Sequence, residues 1–189
     1  MDDRNALSKI PSDGEVQKLS IEDFDLIRRE IAKDDEIAAA PSRNHQNIVG
    51  GLFVDIRNWI SGHHMGYQAY VSPFDVKLPP NNTTVEPDIS VILNGTGRYT
   101  DAGYEGYPEW VIEVTSPGNR YYDFHEKYDL YRTAGVSYYW IVDLAANEWK
   151  TYICNFRLRE PNILTYWFNH PAPVDIFPGM SVVINNYLN

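Results

Sequence analysis

Asp88 and Glu113 are the two residues whose type and position point most directly to chemistry. Asp88 follows a proline and opens the β-branched run DISVIL, and Glu113 interrupts the apolar run WVIEVT. A carboxylate in such a run is costly to bury without a partner. Mg²⁺ prefers a few carboxylate oxygens together with water and substrate phosphate. Two acids on adjacent strands, with a backbone carbonyl such as that of Val114, therefore predict a magnesium site that Mn²⁺ could also occupy. The plainer alternative for Asp88 is a turn residue that starts a strand.

Lys127 is a third residue that could act at the same place. Residues 122–134 predict a helix, and one face of it carries Asp123, Lys127, Leu130, Tyr131 and Ala134. A lysine and an aspartate on an inward face break the binary pattern, and such breaks are often functional. An ammonium group beside a metal-activated water could stabilise the charge that develops on a phosphate. The alternative is an ordinary salt bridge from Lys127 to Asp123 or Glu126.

Helices and strands alternate in a way that could position these residues. Helices are predicted, from apolar residues at helical spacing, at about 20–35, 42–61 and 122–134. Strands are predicted, from β-branched and aromatic runs, at 66–71, 74–78, 88–93, 110–115, 138–143, 149–154, 164–168 and 181–184. The first two strands are expected to pair with each other, and the fifth and sixth to form a hairpin.

The order of these elements predicts an α/β fold, with a mixed sheet flanked by helices. Ser20 and Ser42 are expected to begin the first two helices, and residues 38–41 to separate them. Residues 1–19 are interpreted as a polar lead-in, and residues 20–189 as a single domain.

The composition bounds the class of protein. The 189 residues suffice for one domain with a core, and 43% of them are hydrophobic, which excludes disorder by composition. No apolar run approaches the roughly 20 residues that span a bilayer, and the start is acidic where a secretory signal would be basic. Because Cys154 is the single cysteine, a disulfide framework is excluded and a cytoplasmic protein is expected. The net charge of −10 argues against a protein that coats nucleic acid non-specifically.

An ordered set of motifs between residues 42 and 154 resembles the Uma-two family of endonucleases. The motifs are Pro87-Asp88, Glu113-Val114-Thr115-Ser116-Pro117, Asp123, Lys127, Tyr131, Gly135-Val136 and Tyr139-Trp140-Ile141-Val142-Asp143. That family is placed in the PD-(D/E)XK restriction-enzyme-like superfamily. The resemblance implies the restriction-endonuclease-like fold. It also implies a divalent-metal site with Asp88 and Glu113 as ligands, with Lys127 as the catalytic lysine.

The sequence departs from the superfamily pattern at Thr115, which stands where the usual lysine follows the glutamate by two residues. Relocation of the lysine to the following helix is similar to what the family shows, so Lys127 inherits the role. Thr115 is itself a candidate supporting residue of the site. The resemblance further implies supporting roles for His45, Asp123 and Tyr131. His45 is expected to act as a metal-side or water-orienting group, and the other two to orient Lys127 and Glu113.

Three functions are compatible with these residues. The first is a Mg²⁺-dependent endonuclease that hydrolyses DNA phosphodiester bonds through a metal-activated water. The second is a non-catalytic module that binds nucleic acid or protein and retains the nuclease fold, which the acidic charge and the absent lysine at position 115 favour. The third is an enzyme on a small phosphate-containing substrate. DNA is the expected partner, no membrane is expected, and a homodimer is compatible because superfamily members often pair to address both strands.

Overall fold

The structure, a computed structural model, describes residues 16–31, 42–63, 65–144, 149–158 and 162–188. The helices are α1 (Ile21–Ile31), α2 (Arg43–Gly62), α3 (Arg120–Tyr122) and α4 (Tyr128–Ala134). One turn of π-helix, Asp123–Lys127, joins α3 to α4, and we call the continuous segment 120–134 the site helix. Turns of 3₁₀-helix lie at Pro117–Asn119 and Ile184–Tyr187. None of the described helices combines the length and the apolar character that crossing a membrane requires.

Short strands make up most of the remaining regular structure. They are β1 (Gln17–Leu19), β2 (Tyr67–Val71), β3 (Asp75–Leu78), β4 (Thr83–Val85), β5 (Ile89–Leu93), β6 (Arg98–Tyr99), β7 (Gly103–Glu105), β8 (Trp110–Thr115), β9 (Tyr138–Asp143), β10 (Lys150–Asn155), β11 (Asn162–Trp167), β12 (Ala172–Pro173) and β13 (Ser181–Val182).

Seven strands form the main sheet, in the order β1-β11-β10-β9-β8-β5-β2. Strands β8 and β9 are parallel, joined by the site helix, and the other neighbouring strands of this sheet are antiparallel. A parallel pair needs a crossover connection, which the helix supplies. The predicted fold class, an α/β protein with a mixed sheet flanked by helices, is confirmed.

The two faces of the main sheet bury two hydrophobic clusters, because side chains alternate along a strand. On β8, Trp110, Ile112 and Val114 join the cluster that packs under α2. Val111 points to the opposite face and joins the cluster formed with α1 and the site helix. Glu113 has the same parity as Val111, so its carboxylate is directed at the face that the site helix covers.

The helix caps agree with the sequence signals. Ser20 Oγ accepts the backbone N–H of Asp23 at the start of α1, and Ser42 Oγ accepts that of His45 at the start of α2. At the end of the site helix, Gly135 adopts a left-handed conformation with φ of 91°, which glycine tolerates best. The separator predicted at 38–41 lies outside the described residues.

The prediction that the strands at 66–71 and 74–78 pair with each other is wrong. β2 pairs with β5 in the main sheet, whereas β3 belongs to a separate four-stranded sheet in the order β4-β3-β7-β6. The reason is burial: Val76 and Leu78 on β3 pack into the same cluster as the site helix, a contact that no local pattern reveals. β4 and β7 were not predicted, since each is three residues long.

The domain boundary predicted after residue 19 leaves one strand of the main sheet outside the domain. Gln17–Leu19, which the sequence predicts to be part of a polar lead-in, is edge strand β1 and pairs with β11. Three residues with two exposed side chains carry no strand signal, so only the distant partner reveals the strand. The predicted hairpin of β9 and β10 is present as an antiparallel pair, and its turn at 145–148 lies outside the described residues.

Candidate active site

Antiparallel pairing of β5 with β8 brings Asp88 and Glu113 together. Ile89 faces Ile112 in the register, so Asp88, one residue before β5, stands opposite Glu113. The backbone N–H of Asp88 donates to Glu113 Oε2 at 3.3 Å, and the N–H of Val114 donates to Asp88 Oδ2 at 2.8 Å. Glu113 is only 2% exposed. The acid pair is therefore fixed by main-chain contacts between adjacent strands.

The site helix adds Lys127 to this pair. Lys127 Nζ lies 2.9 Å from Glu113 Oε1 and 3.0 Å from Asp123 Oδ1, and the lysine side chain is 16% exposed. Tyr131 donates its hydroxyl hydrogen to the same Glu113 Oε1 at 2.7 Å. Asp123 and Lys127 are the first and last residues of the π turn, and such turns occur frequently at functional sites.

Burial and crowding of like charges govern the electrostatics of the carboxylates. Burial raises the pKa of Glu113, the Lys127 charge opposes that rise, and Asp123 and Asp88 add to it. Burial likewise raises the pKa of Asp123, against the influence of Lys127. Although burial lowers the pKa of Lys127, the charges of Glu113 and Asp123 outweigh it and raise that pKa above its ordinary value. Lys127 therefore remains an ammonium ion at neutral pH.

His45 enters the site from the first turn of α2. It is buried, and its Nε2 lies 3.1 Å from Asp88 Oδ2. Burial lowers the pKa of His45, but the hydrogen bond and charge of Asp88, followed by Glu113 and Asp123, raise it overall. The contact orients the Asp88 carboxylate, since the ring and the Val114 amide engage the same oxygen.

Thr115 occupies the position where a lysine would stand in the superfamily pattern. It is fully buried, and its hydroxyl lies 3.3 Å from the Ser116 carbonyl oxygen. Donation of the same hydroxyl hydrogen to Asp123 opposes the rise of the Asp123 pKa. The position therefore supports Asp123 and has no solvent access.

The carboxylate oxygens of the site fit a divalent cation. Among the contacts of the described residues, Glu113 Oε1 is taken by Tyr131 and Lys127, and Asp88 Oδ2 by His45 and Val114. Among the described residues Asp88 Oδ1 has no such contact, and Glu113 Oε2 accepts a single hydrogen bond, from the backbone N–H of Asp88 at 3.3 Å. These two oxygens therefore keep lone pairs for a cation. Asp88, with a side chain 17% exposed, gives access from solvent.

The charge balance also fits a cation. Asp88, Glu113 and Asp123 bring three carboxyl groups together, against one lysine and one histidine. Within the described ranges no group of three or more His, Cys, Asp or Glu side chains has the arrangement of a metal cage. Mg²⁺ usually binds through one or two carboxylates plus water and phosphate, so a pair of acids is an adequate donor set.

The structure brings the predicted site residues into one cluster. Asp88, Glu113, Lys127, His45, Asp123 and Tyr131 are linked by the contacts given above, and Thr115 and Val114 lie directly beside them. The Val114 group seen at the acids is its N–H, and the predicted use of its carbonyl stays a prediction.

Two features near the cluster were missed from the sequence. Arg120 Nε and a terminal guanidinium nitrogen both lie 3.0 Å from Asp143 Oδ2, in an ion pair that ties the start of the site helix to the end of β9. The available signal was an aspartate at the end of the apolar strand YYWIVD. The second is Tyr122, whose ring lies beside Lys127. An aromatic residue in a predicted helix gave no signal.

Comparison with known proteins adds to this geometry. The family model Uma2, described as "Putative restriction endonuclease", matches residues 15–180, which is most of the chain. A solved structure from Anabaena variabilis ATCC 29413, described as "a putative nuclease belonging to DUF820", has a similar fold with a TM-score of 0.63. The two sequences are 15% identical, and the similarity covers 79% of this chain and 82% of that one. At this identity the likeness concerns the fold alone. No protein with a curated description matches the sequence.

Proposed function

This chain belongs to the Uma2 family, as its motifs predicted, and on that premise we propose that it is a nuclease that hydrolyses DNA phosphodiester bonds with the help of Mg²⁺. The observation that carries the proposal is that Asp88, Glu113 and Lys127, far apart in the sequence, meet at one place. Lys127 Nζ lies 2.9 Å from Glu113, and the backbone of Asp88 contacts the same carboxylate. A pair of acids can hold a cation that positions a phosphate, and a buried ammonium ion beside them can stabilise the negative charge that develops on it.

Asp88 Oδ1 and Glu113 Oε2 would hold the cation. The Val114 N–H holds the other oxygen of Asp88, and the Tyr131 hydroxyl holds the other oxygen of Glu113. The backbone N–H of Asp88 contacts Glu113 Oε2 itself. A bound Mg²⁺ supplies a Lewis acid for the phosphate oxygens and lowers the pKa of water. Mn²⁺, which takes the same oxygen donors, is expected to substitute.

The remaining residues prepare the site before substrate arrives. Lys127 keeps its proton and offers an ammonium group to the charge that develops on the phosphate, so it is the proposed catalytic lysine. Tyr131 holds Glu113 Oε1 by its hydroxyl, and His45 holds Asp88 Oδ2 by Nε2. Both contacts fix carboxylate orientation, which is the usual task of groups behind metal ligands.

Cleavage of labelled DNA, single-stranded and duplex, in the presence of Mg²⁺ or Mn²⁺ tests the proposal. At a temperature below the melting transition of each variant, Asp88→Asn and Lys127→Met are each expected to lower the cleavage rate at least 100-fold, because each removes a charged group from the reacting centre. Asp101→Asn and Lys18→Met are matched controls at exposed positions outside the site, and both should cleave like the wild type.

A second readout is independent of turnover. Mn²⁺ is expected to raise the melting temperature of the wild type and of Asp101→Asn, but not that of Asp88→Asn, and EDTA should reverse the rise. A metal present at about 100 times its dissociation constant stabilises the folded state by roughly 2.7 kcal/mol. DNA retardation without cleavage, together with no metal effect on melting, would refute the nuclease and support the non-catalytic binding module.

A further inference from the structure

Tyr122 is an exposed aromatic residue beside Lys127 of the candidate active site. It is the last residue of α3, directly before the π turn, and it is 42% exposed. Its ring centroid lies 5.4 Å from Lys127 Nζ. The proposed catalytic amine and an exposed aromatic surface are therefore neighbours.

The exposure of Tyr122 contrasts with that of the groups around it. Glu113 and Asp123 have side chains that are at most 4% exposed, and the lysine between them is 16% exposed. Asp88, 17% exposed, and Lys127, 16% exposed, are the charged groups of the site that reach solvent furthest, and the Tyr122 ring lies beside Lys127. A half-exposed ring at this position is available to a ligand that approaches the site.

Tyr121, the preceding residue, is similarly exposed but differs in its surroundings. Its ring stacks on His125 at 4.4 Å between centroids, with an angle of 23° between the planes. His125 Nε2 in turn lies 2.7 Å from the Arg28 carbonyl, which fixes the pair against α1. The Tyr121 ring therefore has a stacking partner within the chain, and it provides a matched control for Tyr122.

The charge of the chain makes a stacking contact valuable. The net charge is −10, and three carboxyl groups meet at the site, so attraction of phosphates by Lys and Arg is weak. Stacking of a base on an aromatic ring does not depend on charge and is tolerant of sequence. In a duplex the faces of the bases are already covered by their neighbours, whereas an unpaired base can leave the stack.

We propose that Tyr122 stacks on the base next to the phosphate that is cleaved, and that the preferred substrate is therefore DNA with an unpaired base at that position. This rests on the proposed nuclease function and narrows its substrate to single-stranded or locally opened DNA. Tyr122 then sets specificity and binding, while Lys127 acts on the phosphate.

A cycle of two changes, one in the protein and one in the DNA, tests the stacking contact. The protein change is Tyr122→Leu, which keeps an apolar side chain beside Lys127 but removes the ring. The DNA change is a single abasic spacer, moved one position at a time along a single-stranded oligonucleotide around the mapped cleavage position. Cleavage gives KM and kcat, and anisotropy of a labelled oligonucleotide with Ca²⁺ in place of Mg²⁺ gives binding.

In the wild type, a spacer next to the cleaved phosphate is expected to weaken binding and raise KM roughly 5- to 100-fold, the usual range for one stacked base. In Tyr122→Leu the same spacer should change KM less than 2-fold, because the partner of the base is already gone. Tyr122→Phe should behave like the wild type, and Tyr121→Leu should retain the full spacer effect.

The inference is overturned if the spacer raises KM by the same factor in Tyr122→Leu as in the wild type. That result would mean that the Tyr122 ring acts only on Lys127 and makes no contact with the base. Equal cleavage of a matched duplex and a single strand would also overturn it. If the wild type binds but never cleaves with Mg²⁺ or Mn²⁺, the nuclease proposal fails. The spacer is then moved along the whole oligonucleotide and read by anisotropy, and a spacer effect that Tyr122→Leu does not abolish at any position overturns the Tyr122 contact. If it binds no DNA, both fail. Melting temperatures near that of the wild type confirm that each variant folds.

Discussion

At the scale of single residues, the site holds more negative than positive charge. Lys127 contacts two buried carboxylates, and a third belongs to Asp88 next to them. Burying a charge is expensive unless it is paired, so the lysine is what makes the acid cluster tolerable in the folded state. The same excess of negative charge favours the binding of a cation. Stability and the capacity to bind metal are therefore linked at these few atoms.

This balance predicts that Lys127→Met destabilises the protein more than Glu113→Gln. Without the lysine, two buried carboxylates lose their counter-charge, a change that typically costs about 3–5 kcal/mol. Glu113→Gln leaves Lys127 paired with Asp123 and removes one of the crowded charges, so a loss below about 1.5 kcal/mol is expected. Urea denaturation at neutral pH without divalent metal measures both.

Glu126→Gln is the matched control for Glu113→Gln, since Glu126 lies on the same π turn but is exposed. Its effect should stay within about 0.5 kcal/mol. A larger loss for Glu113→Gln than for Lys127→Met would show that the carboxylate has a structural task of its own and that the lysine does not hold the cluster together.

At the scale of elements, each site residue depends on a helix or strand that is anchored elsewhere. His45 is presented by the first turn of α2, and α2 is fixed at its centre by the C-terminal 3₁₀ segment. There the Tyr187 ring lies on Gly51, and the Tyr187 hydroxyl donates to Asp55. The glycine matters because a side chain at position 51 would occupy the space of the ring.

Gly50 and Gly51 provide a direct test of this packing, because they are consecutive residues of one helix. A Cβ at Gly50 meets nothing within 4 Å, whereas a Cβ at Gly51 would lie 2.2 Å from a Tyr187 ring carbon. Gly50→Ala is expected to stabilise the protein by about 0.5–1 kcal/mol, since alanine favours the helix. Gly51→Ala should destabilise it by about 1–3 kcal/mol through overpacking.

Thermal and urea unfolding of the two alanine variants measures both changes in the free energy of unfolding, the expected gain for Gly50→Ala and the expected loss for Gly51→Ala. Similar stabilisation by both alanines would mean that the C-terminal segment does not pack on α2 as described. Gly51→Ala with the additional change Tyr187→Ala should recover the helix-favouring gain of the alanine relative to Tyr187→Ala alone, because the clash is then absent.

At the scale of the whole molecule, the main sheet separates two hydrophobic clusters that share its strands. Trp110 and Trp140 lie in the cluster under α2, and Cys154 lies in the cluster under α1 and the site helix. Strands β8, β9 and β10 contribute to both faces, so neither cluster can open without disturbing the other. We infer that the described part of the chain folds as a single domain.

A single domain predicts that the Cys154 thiol becomes reactive only when the tryptophans are exposed. Cys154 is fully buried, and burial raises the pKa of its thiol, so little thiolate is available in the folded state. Labelling by a disulfide reagent across a urea series should share its midpoint with the loss of tryptophan fluorescence. Cys154→Val measures the background signal of the reagent. Labelling of Cys154 at a urea concentration clearly below the fluorescence midpoint would show that the two faces unfold separately.

Much of the local structure was predictable because local signals determine it. The apolar periodicity of α2, the caps at Ser20 and Ser42, and the glycine that ends the site helix all depend on residues within one or two turns. The main strands follow from β-branched and aromatic runs. Asp88, Glu113, Asp123 and Lys127 were also predictable, because an acid or a lysine among inward-facing apolar residues breaks the binary pattern. His45 and Tyr131 break no such pattern, and their roles followed only from the resemblance to the family.

What only the tertiary structure decided is pairing and direction. The partner of β2, the edge strand β1 and the π turn all depend on contacts between residues far apart in the chain. So does the meeting of His45 with Asp88, which needs the start of α2 to lie close to the start of β5. Propensity acts over a few residues, whereas strand order and the approach of side chains are fixed by burying two faces of one sheet at once. For that reason the sequence determined which residues could do chemistry, and the fold decided where they meet.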